Sequence, residues 1–290
     1  MKASSLLRGV LRALVYQYCR RSPVRQGKVK LVYATRRVEI HYIVEATLPG
    51  GSRITADLSD AVQRLVYFLG YYERGVTNLI TRVLNAGDTF IDIGANVGYF
   101  TLIASPLVGP TGKVHSFEPV PEVFASLRRN VALNGLSNVR MNRAAVFDED
   151  RDLEIFLPVD GNSGTGTFFK RPNAPGDSVQ CPAHSLDDYV KREGIEGIRL
   201  VKMDIEGAEP FALRGMRQVL SSLHPPDLIC EAVPYLLEFS GHTQADIVQF
   251  MKPFGYRCQE ITDDGLAEFK YDRDRSSARD CNLYFSRTSD

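Results

Sequence analysis

The stretch Phe90-Ile91-Asp92-Ile93-Gly94-Ala95-Asn96-Val97-Gly98-Tyr99-Phe100 decides the fold class. Its apolar start carrying one acid predicts a buried strand, the two glycines predict a tight turn, and the residues after them open a helix. In open α/β sheets ligands bind beyond the carboxyl ends of the strands, which is where this turn falls. Gly94 and Gly98 are expected to remove side chains where a ligand approaches backbone, and the helix start offers free N–H groups to an anionic group.

Downstream, short apolar segments alternate with helical ones. Further strands are predicted at Lys113 to Phe117, Val139 to Ala145, Arg199 to Asp204 and Leu228 to Glu231, and Tyr256 to Ile261 and Asn282 to Ser286 supply the last ones. Helices are expected at about 97–106, 121–134, 186–192, 210–223 and 243–252. Pro121 and Pro210 sit in first turns, and Ser185 with Asp188 forms a capping-box pattern. This alternation predicts an α/β fold, a doubly wound, Rossmann-like, seven-stranded sheet. Leu153 to Leu157 and Val179 to Pro182 look like two added strands flanking Gly161-Asn162-Ser163-Gly164, which reads as a hairpin tip or a gating lid.

Upstream, Leu7, Val10, Leu11, Leu14, Val15 and Tyr18 follow helical spacing and predict a helix from about Ser4 to Arg20. Residues 29–33, 38–46 and 53–56 read as a small β-meander, with helices around 61–71 and 76–85. The expected division is an N-terminal appendage over 1–87 and a catalytic domain over 88–290.

The chain carries 35 basic and 35 acidic residues, so no global excess recruits nucleic acid. The balance is uneven: residues 1–40 hold ten basic side chains and the single acid Glu39, leaving 25 basic against 34 acidic over the remainder. The basic amphipathic helix therefore has two readings. It docks on the fold or on a second subunit in a homodimer, or residues 1–25 make peripheral contact with an anionic membrane. No apolar stretch reaches the ~20 residues of a membrane span. The five cysteines contain no C-x-x-C pair and the histidines no ligand spacing, so no metal site is expected and a reducing, cytoplasmic location fits. A magnesium ion on Asp204 and a second acid stays open, because oxygen ligands leave a weak signature.

A second acid, Glu118, closes the strand ending Phe117-Glu118-Pro119, where a carboxylate can accept both hydroxyl hydrogens of a ribose. A dinucleotide site asks for G-x-G-x-x-G. Here the turn is G-x-x-x-G, and Asp92 just before it opposes a pyrophosphate but suits a cationic ligand such as S-adenosylmethionine.

These features resemble class I S-adenosylmethionine-dependent methyltransferases, and within them the FkbM family. The resemblance covers roughly 70–260. It rests on Gly70-Tyr71-Tyr72-Glu73, Asp92 to Tyr99, Phe117-Glu118-Pro119, Asn142 to Val146, Ser185 to Tyr189, Glu231, and above all Lys202-Met203-Asp204-Ile205-Glu206-Gly207-Ala208-Glu209. It implies an O-methyltransferase acting on a sugar, glycan or other natural-product hydroxyl. Asp92, Gly94, Asn96 and Gly98 would line the methionine half of the cofactor, Glu118 would hold the ribose and Ala145 would lie near the adenine, with Tyr99 and Pro119 also on the cofactor. Asp204 and Glu206 would face the sulfonium and the acceptor, with either as base, and Glu73 would close the site.

For Asp204 and Glu206 the alternative is a helix N-terminal charge, and for Glu209 that reading is preferred. Glu231 is either a substrate-side acid or a partner to a buried base. The competing functions are a non-catalytic binding module and a methyltransferase acting on nucleic acid or protein.

Overall fold

The computed structural model describes residues 2–22, 24, 27–35, 42–157, 166–169, 177–270 and 279–287. In chain order the first elements are α1 (Lys2–Arg21), α2 (Lys28–Ala34), β1 (Ile43–Thr47), β2 (Arg53–Asp57), α3 (Ala61–Leu69) and α4 (Arg74–Val83). The alternating region follows with β3 (Thr89–Ile93), α5 (Tyr99–Val108), β4 (Lys113–Phe117), α6 (Pro121–Leu133), β5 (Val139–Asn142), β6 (Ala145–Phe147), β7 (Arg151–Phe156) and β8 (Ser178–Ser185). It continues through α7 (Leu186–Glu193), β9 (Leu200–Met203), α8 (Glu209–Arg214), α9 (Arg217–Leu220) and β10 (Asp227–Ala232). The last elements are α10 (Pro234–Phe239), α11 (Gln244–Met251), β11 (Arg257–Thr262), β12 (Gly265–Glu268) and β13 (Cys281–Ser286).

The main sheet runs β12-β11-β13-β10-β9-β3-β4-β5. Strands β10, β9, β3, β4 and β5 are mutually parallel, and β13 inserts antiparallel between β10 and β11. From β3 the chain winds outward to β4 and β5, then returns to β9 on the other side. The crevice between β3 and β9 is therefore the topological switch point.

Alternate side chains of each strand go to opposite faces. Phe90, Val114, Leu200 and Ile229 join Leu102 and Ile103 of α5 and Ile80 of α4 in one core. Ile91, Val201, Met203 and Leu228 join Leu213 and Ile247 in the other. Ala46 of β1, Ile54 of β2, Val66 of α3 and Leu79 of α4 belong to that first core. The boundary expected at 87 thus separates two sequence patterns but not two cores.

Several expectations need correction. Residues 29–33 form part of α2 and not a meander strand, because Lys28 and Val32, one helical turn apart, are the pair that is buried. The Lys28 ammonium donates to the Cys19 and Ser22 carbonyls at 2.7 Å, satisfying acceptors at the end of α1. The meander is a two-stranded hairpin, β1 with β2; residues 36–41 lie outside the described residues. The third predicted strand divides: β5 stays in the main sheet, whereas β6 joins β7 and β8 in a separate three-stranded sheet. The helix expected over 210–223 breaks at Gly215, where a Cβ would meet the Phe147 carbonyl oxygen at 2.0 Å. The sheet has eight strands, not seven, because β11 turns at Asp263-Asp264 into β12 on the edge. Gly161-Asn162-Ser163-Gly164 lie outside the described residues.

Candidate active site

A cleft of about 230 Å³ opens over the carboxyl ends of β3, β4 and β9. Of the residues singled out in the sequence, Gly94, Asn96, Tyr99, Glu118, Pro119, Ala145, Asp204 and Glu206 line it. Asp92, Gly98 and Glu73 do not.

Asp92 lies behind the wall, with no solvent exposure. Its Oδ2 accepts from Thr101 Oγ1 at 2.7 Å, and its Oδ1 has no hydrogen-bond partner. Gly98 is required by the protein itself: its φ is 97°, and a Cβ would sit 2.7 Å from Leu127 Cδ1. Gly94 does reach the cleft, yet it too is dictated by packing, since φ is 79° and a Cβ would lie 1.9 Å from the Asp204 carbonyl oxygen. Both glycines are thus required by packing, through the close approach of β3 to the β9 tip and of the turn to α6, and Gly94 in addition lines the cleft.

Glu118 occupies the β4 tip. Its Oε2 accepts from the Asn96 N–H at 3.0 Å and its Oε1 from the Val120 N–H at 2.9 Å, so backbone donors fix the carboxyl on both sides. Each oxygen keeps lone-pair capacity toward the cleft. Burial raises this carboxyl to about 7 against the two backbone bonds. Ala144, Val146, Ile155 and Phe168 supply an apolar wall next to it.

At the other end, the strand register aligns a polar row on one face of the sheet. Asp92 of β3 pairs in register with Lys202 of β9, and Glu231 of β10 pairs with Asn282 of β13. Lys202 is 2% exposed, its Nζ donates to Asp204 Oδ2 at 3.1 Å, and it lies 4.8 Å from the Phe100 ring centroid. Three acids act on this one ammonium. Burial alone would push it down, but Asp204, Asp92 and Glu73 hold its pKa above the usual lysine value. Glu231 lines the cleft, and burial together with the charges of Asp204 and Glu73 holds its carboxyl well above the ordinary range. Glu231 hydrogen-bonds to Asp204 and lines the cleft, which agrees with its reading as an acid on the cleft side; its neighbour is an acid and not a buried base.

Glu73 precedes α4 and covers this row from above. Asn282 Nδ2 donates to its Oε1 at 2.9 Å, and its Oε2 is buried without a partner. Burial and the Asp204 charge raise it to about 7. Tyr72, beside it, lines the cleft; its backbone N–H donates to the Tyr99 hydroxyl at 3.0 Å. Glu209 acts as a structural anchor, as its place at the start of α8 implies: its Oε1 accepts from the Ile205 N–H at 2.9 Å and holds the 204–208 loop.

Glu73, Asn96 and Glu206 are the three non-glycine residues with positive φ among the described residues, at 40°, 51° and 57°. Such strain costs on the order of 1 kcal/mol each and collects at functional sites. Asn96 and Glu206 line the cleft, and Glu73 follows the cleft residue Tyr72.

Lys202 and Asn282 were given no role from sequence. A lysine inside Leu200-Val201-Lys202-Met203, a strand buried on both faces, was the available signal, because an unpaired lysine is almost never fully buried. Asn282 had none, since it depends on the register of β13.

The fold and site together define a class: a doubly wound α/β enzyme with a nucleoside-sized cleft at its switch point and an acidic strand tip on each side. Residues 92–258, more than half of the chain, match the family model described as the methyltransferase FkbM domain. The chain belongs to the FkbM family of methyltransferases. It is 29% identical over 195 residues to the 31-O-demethyl-FK506 methyltransferase FkbM of Streptomyces tacrolimicus, a match covering 55% of this chain and 74% of that protein. It is 31% identical over 147 residues to Methyltransferase 1 of Beauveria bassiana, covering 44% and 59%. Among solved structures, a methyltransferase FkbM from Methylobacillus flagellatus KT aligns over 78% of this chain and 53% of its own, at 17% identity and a TM-score of 0.43.

Proposed function

We propose that the protein is an S-adenosylmethionine-dependent O-methyltransferase whose acceptor is a hydroxyl of a sugar, glycan or related natural product. The observation that carries this reading is the pairing of a backbone-oriented carboxyl, Glu118, with a strongly acidic opposite end. The first suits the two hydroxyls of a ribose. The second suits a cation: Asp204, Asp92 and Glu73 converge on the Lys202 ammonium, and the Glu73 and Asp92 carboxyls each retain an unpartnered buried oxygen. The apolar wall from Ala144 to Phe168 suits a purine. The residues present therefore fit S-adenosylmethionine, which supplies a methyl on a sulfonium that leaves as a neutral thioether.

The remaining task of the chain is to orient an acceptor oxygen and take its proton. Asp204 is engaged by Lys202 and Glu231, which makes it a positioning residue. Glu206, on the rim, is the general base in this reading. The oxygen acceptor is supported by the name of the Streptomyces tacrolimicus relative, which methylates an oxygen. The test is a calorimetric titration with S-adenosylhomocysteine, followed by a screen for methyl transfer onto free sugars and lipid-linked glycans. Glu206→Gln is expected to bind S-adenosylhomocysteine within about twofold of the parent and to lose about 100-fold in turnover. Absence of S-adenosylhomocysteine binding by the unaltered protein would end the reading, and full turnover by Glu206→Gln would remove Glu206 from it.

A further inference from the structure

The N-terminal helices bury one face and leave another bare. Val15 and Cys19 of α1 and Val32 of α2 pack on Phe68 and Leu69 of α3. Arg20 fastens the contact, its Nε donating to the Tyr67 carbonyl at 3.1 Å. The opposite side of α1 presents Val10, Leu11, Leu14 and Tyr18, and α2 presents Val29 and Tyr33, all 40% or more exposed. Among the described residues, nine of the eleven exposed large apolar side chains fall between Val10 and Ile43. On a helical projection Val10, Leu14, Leu11 and Tyr18 form one continuous arc, centred away from Val15 and Cys19. Such clustering on a water-facing surface marks an interaction site.

Charge selects the occupant. The first 40 residues carry ten basic side chains and one acid. Lys28 and Arg20 are turned onto the fold, whereas Arg21, which falls between Val10 and Leu14 on the helical projection, and Lys30 of α2 are exposed. An isologous contact with a second copy would bring this net positive segment against itself. An anionic bilayer complements it, and the exposed Tyr18 and Tyr33 suit the headgroup level. No helix among the described residues is long and apolar enough to cross a membrane, so the mode is interfacial. The two sequence readings of α1 are therefore compatible: one face docks on α3 while the other stays available.

We infer that the outer face of α1, with α2 beside it, is a docking surface for an anionic membrane. Because α3 contacts these helices through Phe68 and Leu69 while Val62 lines the cleft, docking would hold the cleft one helix away from the lipid surface. This inference stands apart from the proposed reaction.

The experiment is co-sedimentation of the full chain with two vesicle preparations, phosphatidylcholine alone and phosphatidylcholine mixed equally with phosphatidylserine. Binding to the mixed vesicles is expected, with much weaker binding to the neutral ones and a decline as salt rises. Leu14→Asp should lower the partition coefficient about tenfold or more. Its thermal midpoint should match the parent, since Leu14 points away from α3. Arg21→Glu, also exposed, should lower anionic binding without changing the neutral background. Equal binding to both preparations, no binding to either, or parent-like binding by Leu14→Asp overturns the inference. A dimer in light scattering that Leu14→Asp converts to monomer, without vesicle binding, assigns the face to a second copy instead.

Discussion

At the β4 tip, Glu118 is buried with backbone N–H groups as its hydrogen-bond donors, whereas at the β9 tip Asp204 lies against the Lys202 ammonium and the Glu231 carboxyl. Both carboxyl groups line one cleft, Glu118 buried and Asp204 21% exposed at its side chain. The first is oriented but not neutralised, so its affinity for protons rises with burial. The second is neutralised by a partner whose own burial is tolerated only because acids surround it. One end should therefore respond mainly to pH and to the ribose-like ligand, the other to loss of a charge.

The largest effect is expected from Lys202→Met. Removing the ammonium leaves Glu73, Asp92 and Asp204 crowded in a buried site, and breaking a buried network of this kind costs about 3–5 kcal/mol. Urea unfolding at neutral pH measures it. A loss below about 1 kcal/mol would show that the acids do not depend on Lys202, and the contrast between the two ends would collapse.

Next is Glu118→Ala, which removes the β4-tip acceptor. Affinity for S-adenosylhomocysteine should fall about 100-fold, or about 2.7 kcal/mol, as read by calorimetry. Retained affinity would transfer ribose recognition to another residue and leave Glu118 as a plain anchor for the Asn96 and Val120 N–H groups.

The third effect concerns pH. Glu118 and Glu209 are both raised from about 4.5 to about 7 by burial. A carboxyl raised on folding contributes stability that is complete below its unfolded value and is lost as pH climbs through its folded value. Between about pH 6 and about pH 8 the ligand-free protein should lose about 2–3 kcal/mol from this pair. Glu118→Gln should flatten part of that slope. A stability curve that rises over this interval would falsify the assignment of these two carboxyls as protonated on folding.

Much of the fold was legible because its determinants are local. The strand-turn-helix from Phe90 to Phe100, the proline at the first turn of α6 and the Ser185 cap of α7 each act within a few residues, and each is found where it was expected. Errors arose where a distant neighbour decides. Residues 29–33 read as a strand, yet they are helical because α1 and α3 supply the surfaces that bury Lys28 and Val32. Gly215 divides a helix because the Phe147 carbonyl passes beside it. The Asp263-Asp264-Gly265 turn is a local signal for β12.

The candidate site divides in the same way. Sequence by itself determined the strand tips, their acids and the family to which the chain belongs, because a short ordered run carries all of that information. Tertiary structure alone placed Asp92 behind the cleft wall, brought Lys202 among acids from β3, the β9 tip and the start of α4, and joined Asn282 to Glu73. These arrangements follow from strand register and from where α4 lands on the sheet. Both depend on contacts between residues far apart in the chain, which no local pattern encodes.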